Sequence, residues 1–298
     1  MVVARIIDLF CGIGSFHHAA KQHDMKCVFA CDIDPNVRKV YQKNYKMIVH
    51  GDITDLNIAN DIPEHDILCA GFPCQPFSLI GQRKGSDEAR GRLIDYIVKI
   101  LENKQPKACI LENVKGLLSI NNGLDFQKIV NMIKDTGYTI FHKIMRSDDY
   151  GIPQMRQRLF IIGFRNDLIQ EQHRFSFPTP MNNPPNLAQY LEMPFIKKSA
   201  YTIRCGGRNS GIHDRRNWDS YHMVNGSVYT LTTNDCMKLQ GFPIDTWDWL
   251  DIAETKKLKM LGNTIPTCLT NVILGAVNYA LCPLLEENHV HLLAEIHL

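Results

Sequence analysis

The chain has 298 residues, of which 45% are hydrophobic and 21% are charged, a composition typical of ordered globular proteins rather than disordered ones. The formal net charge is only +2, so binding to a polyanion would have to come from a local cluster of basic residues. Ten cysteines occur without a Cys-x-x-Cys pair, which predicts reduced thiols and an intracellular protein. The sequence predicts neither a signal peptide nor a membrane-spanning segment.

Short apolar runs alternate with helical patterns through the first 165 residues, as expected for β-α units on a mostly parallel sheet. Seven strands are predicted, at residues 4–9, 26–31, 47–50, 66–70, 108–112, 139–145 and 158–164. Helices are predicted at residues 15–23, 35–45, 90–103 and 125–136. The loop between the last two strands is too short for a helical crossover, so these strands should pair antiparallel.

The remainder of the chain has a different character. A proline-rich stretch at residues 177–185 predicts a linker, and residues 186–230 predict a small, irregular, partly β module. Helical spacing returns at residues 236–240 and 254–281, and this last part should pack back on the first domain. The predicted division is a large domain of residues 1–167 and 244–298 and a small domain of residues 168–243.

The first predicted strand runs into a Gly-x-Gly turn at Gly12 and Gly14 and then into a helix, a geometry that lets a cofactor lie across strand ends. A third glycine, as in dinucleotide sites, is missing because position 17 is histidine. Asp32 and Asp52 follow the next two strands and could bind a ribose and an adenine. The alternative, that such aspartates cap the following helices, applies most strongly to Asp34.

A proline-flanked cysteine, Cys74, follows the fourth predicted strand. Pro73 and Pro76 stiffen this loop, which would aim the thiol as a nucleophile. The alternative is that Cys74 packs as a small buried hydrophobe.

Two further groups of polar residues belong to neighbouring strands. Glu112 ends the fifth predicted strand and should emerge at the same sheet edge as Cys74. Alternation along the incoming last strand places Gln154, Arg156 and Arg158 on one face. Together these residues predict a chemical site, although each alone would more often be a solvated or ion-paired residue.

Five motifs in order resemble those of DNA (cytosine-5) methyltransferases of the compact bacterial or phage type. They are Asp8 to Phe16, Gly71 to Ser78, Glu112-Asn113-Val114, Gln154 to Arg158 and Leu261 to Pro266. The resemblance implies an α/β, Rossmann-like fold for S-adenosylmethionine-dependent methyl transfer, with a seven-stranded, mostly parallel sheet and a small, partly β target-recognition domain.

The resemblance also implies how the cofactor is bound. Phe10 would stack on the adenine beside Gly12 and Gly14, and Asp32 with Ile33 would hold the ribose. Asp52 and Ile53 would meet the adenine ring, and Asn263 the methionine end. The product would be S-adenosyl-L-homocysteine.

The same resemblance implies covalent catalysis. Cys74, presented by Pro73, would attack C6 of a cytosine flipped out of the duplex, while Glu112 protonates N3 and Arg158 holds O2. The activated C5 would then take the methyl group, and loss of the C5 proton would expel the thiolate.

Residues 201–217, called here the recognition segment, resemble the part of these enzymes that reads the target sequence. Contacts to double-stranded DNA are predicted for Arg156, Arg204, Arg208, Asn209, Arg215, Arg216 and Asn217. The alternative is that most of these arginines bind only phosphate or pair with Asp214 and Asp219.

Several alternatives to a DNA methyltransferase remain at this point. They are an RNA (tRNA) cytosine-5 methyltransferase, a catalytically silent DNA-binding homologue and a nicotinamide oxidoreductase. The favoured reading predicts a metal-free monomer with a place in restriction-modification. It would be soluble and intracellular, in the cytoplasm or nucleoid, or in the nucleus of a eukaryotic host.

Overall fold

A computed structural model describes residues 3–73, 93–168 and 175–281. Cys74 and the rest of its loop lie outside the described residues. The main sheet has six described strands: β1 (Arg5–Leu9), β2 (Lys26–Cys31), β3 (Ile67–Gly71), β4 (Ala108–Val114), β5 (Tyr138–Arg146) and β6 (Gln157–Arg165). Their order across the sheet is β2-β1-β3-β4-β6-β5.

Strands β1 to β4 run parallel, so their carboxyl ends meet at one edge of the sheet. Strand β6 runs antiparallel to both β4 and β5, which confirms the predicted pairing of the last two strands. The register sets Gly71 opposite Glu112, and Val114 opposite Arg158. The sheet thus brings polar residues that are distant in sequence to a common edge.

The prediction of a strand at residues 47–50 was wrong. Of these residues only His50 pairs with the sheet, through an isolated parallel bridge to Cys31, the last residue of β2. The preceding helix, Pro35–Tyr45, ends only at the left-handed residue Lys46, with φ +55°. Asp52 already caps a short 3₁₀ helix, Ile53–Asp55, with its carboxylate accepting a hydrogen bond from the Thr54 N–H at 3.0 Å, so little chain is left for pairing between the two. The chain therefore turns away from the sheet after one residue.

Helices cover both faces of the sheet, as the alternation of the strands requires. The first segments are α1 (Ser15–Gln22), α2 (Pro35–Tyr45) and the short α3 (Ile58–Asp61). On one face, α4 (Leu93–Lys104) and α5 (Leu124–Asp135) pack against Ile7, Leu68 and Leu111. The opposite face, with Ile6, Ile67 and Ile110, is covered by α1 and by the last helix.

The end of the described chain returns to its beginning. After α6 (Leu187–Leu191) and α7 (Thr233–Gln240), two further helices follow, α8 (Glu254–Asn263) and α9 (Thr267–Leu281). Helix α9 buries Leu269, Ile273, Leu274 and Val277 in the same cluster as Phe16 of α1. This packing confirms the prediction that the last helical part returns to the first domain.

The stretch Glu254–Leu281 is apolar and long enough to meet a length-and-composition criterion for a membrane span, with a mean hydropathy of 1.3. About 67% of its most apolar window is buried within the protein. Its apolar surface is therefore largely used by the core.

The region between β6 and α8 is largely irregular, as predicted. Its hairpin consists of β7 (Ser220–His222) and β8 (Val228–Thr230), joined through a turn at Gly226, where φ is +84°. Trp218, Leu187 and Met237 of this region share a hydrophobic cluster with Val37 and Val40 of α2. Ile203 of the recognition segment belongs to the same cluster, so a common core attaches this segment to the sheet-bearing part.

Candidate active site

An open pocket lies at the carboxyl edge of β1, β3 and β4. It encloses about 340 Å³, including the space continuous with solvent. It is lined by Asp8, Phe10, Cys11, Gly12, Ser15, Phe16, Gly71, Glu112, Asn263, Thr264 and Ile265. Two halves of the sequence, more than two hundred residues apart, therefore form its walls.

The turn after β1 requires its second glycine. Gly14 has φ +90°, and a Cβ there would lie 2.5 Å from Cε2 of Tyr45. The Tyr45 hydroxyl donates to the Gly14 carbonyl oxygen at 2.9 Å. An aromatic side chain of α2 thus fixes the turn from behind, and only glycine leaves room for it.

Asp32 holds the same turn from the other side. Its carboxylate accepts hydrogen bonds from the N–H groups of Gly12 and Asp34, each at 2.9 Å. Burial raises the pKa of Asp32, while these two backbone donors oppose the increase. Asp34 instead caps α2, its side chain accepting from the Asn36 N–H at 2.8 Å, as the capping alternative predicted.

A buried polar cluster beneath the pocket was missed from the sequence. The Tyr41 hydroxyl lies 2.8 Å from His17 Nδ1 and 3.4 Å from Asp8 Oδ2, and His17 stacks on Tyr45 with ring centroids 4.1 Å apart. Burial raises the pKa of Asp8 well above its usual value and lowers that of His17 to about 3. The tyrosines four residues apart on α2 were a possible signal, because this spacing places them on one helix face.

The other predicted adenosine-binding residues differ in accessibility. Ile33 is 63% exposed beside Asp32, whereas the Ile53 side chain is buried in the core. Asp52, next to it, is partly exposed, and neither Asp52 nor Ile53 is among the residues that line the pocket.

Glu112 and Arg158 form the central ion pair. Glu112 Oε1 lies 2.6 Å from Arg158 Nε, and both side chains are largely buried. Burial raises the pKa of Glu112, and the nearby Arg158 and Arg156 partly offset this. A Cβ on Gly71, in the neighbouring strand, would lie 3.3 Å from Glu112 Oε2, so the glycine lets the strand pass close to the carboxylate.

Asn113 links this pair to the chain that leads to Cys74. Its side-chain Nδ2 donates to the carbonyl oxygen of Phe72 at 3.0 Å, immediately before the exposed Pro73. Pro73, the last described residue before Cys74, therefore directly follows a residue that is hydrogen-bonded to β4. Asn263, the last residue of α8, faces the pocket from the opposite wall.

Two residues predicted to contact DNA have buried side chains. Arg156 is 1% exposed and donates from Nη1 to the Ile203 carbonyl oxygen at 2.8 Å and from Nη2 to that of Gly262 at 2.9 Å. Asn217 is also buried, and its amide exchanges hydrogen bonds with the Ser220 backbone. Both residues fix loops inside the protein.

Two arginines of the recognition segment follow the ion-pair alternative. Arg216 pairs with Asp214 at 2.7 Å, and Arg208 lies 3.7 Å from the fully buried carboxylate of Asp219 and donates to the Leu231 carbonyl oxygen. The pairing with Arg216 lowers the pKa of Asp214 to about 2.

The remaining predicted DNA contacts are exposed. Arg204 donates to the Arg216 carbonyl oxygen, and Asn209 has a left-handed backbone with φ +58°. Arg215 is exposed and has no ion-pair partner within the part of the chain that the structure describes. The recognition segment thus offers fewer free cations than its sequence contains.

The pocket fits S-adenosylmethionine. Phe10 supplies an aromatic face, and a Cβ on Gly12 would meet no atom within 4 Å, so the turn leaves open space for a ligand. With the strand order of the sheet, these features define an α/β methyltransferase that uses S-adenosylmethionine.

Comparisons with known proteins identify the family. A family model described as C-5 cytosine-specific DNA methylase matches residues 4–206. Type II methyltransferase M.BsuFI of Bacillus subtilis is 34% identical over 95% of this chain and 74% of its own length. Type II methyltransferase M.HaeII of Haemophilus aegyptius is 33% identical over 92% of each chain. The chain belongs to the C-5 cytosine-specific DNA methylase family.

The solved structures agree on the fold. That of the Entamoeba histolytica methyltransferase EhMeth has a TM-score of 0.72 and 18% identity, covering 95% of this chain and all of that one. This similarity confirms the predicted α/β methyltransferase architecture over nearly the whole length.

Proposed function

We propose that this protein methylates C5 of cytosine in a short, specific sequence of double-stranded DNA, with Cys74 as the nucleophile. The observation that carries the proposal is the buried Glu112–Arg158 pair, which borders the cofactor pocket beside the strand that leads through Pro73 to Cys74. A general acid, a cation and a nucleophilic loop at one sheet edge are the groups that this chemistry needs.

Cytosine C5 is a poor nucleophile until the aromatic ring is broken. The Cys74 thiolate forms a bond to C6, and Glu112 donates a proton to N3, which neutralises the charge that develops on the ring. Arg158 holds O2 of the base. S-adenosylmethionine supplies the methyl group and leaves as S-adenosylhomocysteine. Water then takes the proton from C5, the electrons of that C–H bond form the C5–C6 double bond, and the sulfur–C6 bond breaks to restore the thiolate. The N3 proton returns to Glu112.

A carboxyl group in this role must carry a proton when the base enters. The burial that raises the pKa of Glu112 favours this, and the entering base would further screen Glu112 from water. Removing the cytosine from the duplex costs a few kcal/mol, which contacts between protein and DNA must offset.

Of the proposed cofactor contacts, Phe10, Gly12 and Asn263 line the pocket. Phe10, Gly12 and Gly14 would border the adenosine and methionine parts, and Asp32 would accept from the ribose hydroxyl groups, with Ile33 beside it. Asp52 and the backbone of Ile53 would meet the adenine, and Asn263 the methionine end. Asp32 already holds the Gly12 N–H, so ribose binding and the shape of the turn would depend on one carboxylate.

DNA would be bound by the exposed side chains of the recognition segment, Arg204, Asn209 and Arg215, with Arg208 and Arg216 available only after their ion pairs open. We propose that the enzyme acts as a monomer inside the cell. The described cysteines form no disulfide, which fits a reducing compartment.

The decisive experiment uses duplex DNA in which cytosine is replaced by 5-fluorocytosine. The fluorine cannot be eliminated from C5, so the wild-type protein and S-adenosylmethionine should give a stable covalent complex on a denaturing gel. Cys74→Ser should give none while still binding S-adenosylmethionine. Bisulfite sequencing of methylated genomic DNA would reveal the target, and methylation of transfer RNA instead of DNA would overturn the proposed substrate.

A further inference from the structure

Cys205 lies against the end of α8, at the border between the recognition segment and the cofactor pocket. A Cβ on Gly262 would lie 2.6 Å from the Arg204 carbonyl carbon and 2.7 Å from the Cys205 nitrogen. The two backbones therefore approach so closely that only glycine fits at position 262.

The buried guanidinium of Arg156 fixes this approach. It donates to Ile203 on one side and to Gly262 on the other, so the chain entering Cys205 and the chain entering Asn263 bind the same group. The positions of both residues are thus set by Arg156 and do not depend on the cysteine side chain.

The Cys205 thiol contacts Asn263 directly. Its Sγ lies 2.9 Å from Asn263 Oδ1 and 3.5 Å from the Lys259 carbonyl oxygen. A thiol has a single proton, and here it is donated to Asn263 Oδ1, the nearer of the two acceptors. Partial burial raises the pKa of Cys205, although Arg156 and Lys259 oppose this, so the sulfur keeps the proton it donates.

This bond decides how the Asn263 amide is oriented. An asparagine amide has an acceptor end and a donor end, and the environment determines which points where. With the oxygen directed at Cys205, the NH₂ group is the end left for a ligand in the pocket that Asn263 lines.

We propose that Cys205 is a positioning residue for cofactor binding: its thiol orients Asn263 so that the amide NH₂ faces the carboxylate of the methionine part of S-adenosylmethionine. This inference rests on the cofactor contact of the proposed function. It adds a residue of the recognition segment to the machinery that selects the cofactor.

The test compares Cys205→Ala, which removes the donor, with Cys205→Ser, which keeps one. We expect Cys205→Ala to raise the dissociation constant for S-adenosylmethionine about threefold to tenfold, as for loss of one hydrogen bond, and Cys205→Ser to restore most of the affinity. Isothermal titration calorimetry without DNA measures this. The rate at saturating cofactor and the DNA affinity should change less than twofold.

Two controls separate positioning from general damage. Ser210→Ala removes a side-chain bond to Gly207 in the same segment, away from Asn263, and should leave the cofactor affinity unchanged. In an Asn263→Ala background, Cys205→Ala should have no further effect, because the group it orients is gone.

Wild-type cofactor affinity in Cys205→Ala, failure of Cys205→Ser to restore it, or additive effects of Cys205→Ala and Asn263→Ala would overturn this inference. A different result would overturn the proposed function: no methyl transfer by the wild-type protein, or no covalent complex of that protein with 5-fluorocytosine DNA.

Discussion

The pocket edge and the recognition segment contain similar side chains in opposite situations. At the pocket edge, the strand register places Glu112 opposite Gly71 and near Arg158, and the resulting ion pair faces a ligand site. In the recognition segment, no long strand sets the positions, and Arg208 and Arg216 bind carboxylates of their own loop. The fold thus orients the charged side chains at the sheet edge toward a ligand site. The charged side chains of the loop instead form ion pairs that stabilise the loop itself.

The largest expected effect concerns the pocket edge. Glu112→Gln should lower the single-turnover methylation rate about 10²- to 10⁴-fold, because it removes the proton donor to N3 and keeps the shape of the side chain. DNA affinity, measured by fluorescence anisotropy, should stay within a few-fold. Near-normal turnover by this variant would show that the ion pair is only structural and would remove the contrast between the two regions.

Gly14→Ala should destabilise the fold through contact with Tyr45 and through its positive φ. We expect the free energy of unfolding in urea to fall by about 2–4 kcal/mol. The matched control is Gly12→Ala, where φ is also positive (+52°) but the added Cβ meets no atom within 4 Å, and it should lose only about 1 kcal/mol. Equal losses of unfolding free energy in the two variants would mean that the Tyr45 ring does not pack closely against Gly14.

The neutral His17 predicts a dependence of stability on pH. Its pKa is about 3 in the folded protein and about 6.5 when unfolded, so between these values the unfolded state binds more protons and stability falls as the pH falls. Between pH 7 and pH 5 the loss from this residue should be about 2 kcal/mol. The His17→Gln variant should lose this part of the pH dependence of stability. If the dependence is unchanged in this variant, a group other than His17 is responsible for it.

The smallest expected effects concern the recognition segment. Arg215→Ala should weaken DNA binding and reduce the salt slope by about one unit, because its charge is free to meet a phosphate. Arg216→Ala should have a smaller effect, since Asp214 already pairs with it. Asp214→Asn should strengthen binding by releasing Arg216. Equal effects of Arg215→Ala and Arg216→Ala would show that the internal pair opens without cost on DNA.

The same contrast explains what could be predicted from the sequence. Strands β1 and β4 and the Gly-x-Gly turn follow from buried runs and turn residues, so the sheet edge and its pocket could be predicted. The absence of a strand at residues 47–50 could not, because it depends on where α2 ends, at Lys46, and on the capping of the next turn by Asp52, with only His50 paired between them. The buried position of Arg156 could not be predicted either, because no local pattern predicts that Ile203 and Gly262 would converge on it.

The return of α9 to α1 has a consequence for biosynthesis. Phe10 and Gly12 leave the ribosome early, but the opposite wall, Asn263 to Ile265, emerges more than two hundred residues later. Joining the two walls closes a very long loop. The entropic cost of closing such a loop rises only slowly with its length, but contacts between residues so distant in sequence form slowly. A chain that stops before α8 lacks the pocket wall formed by Asn263, Thr264 and Ile265. We therefore expect cofactor binding to require synthesis past Ile265.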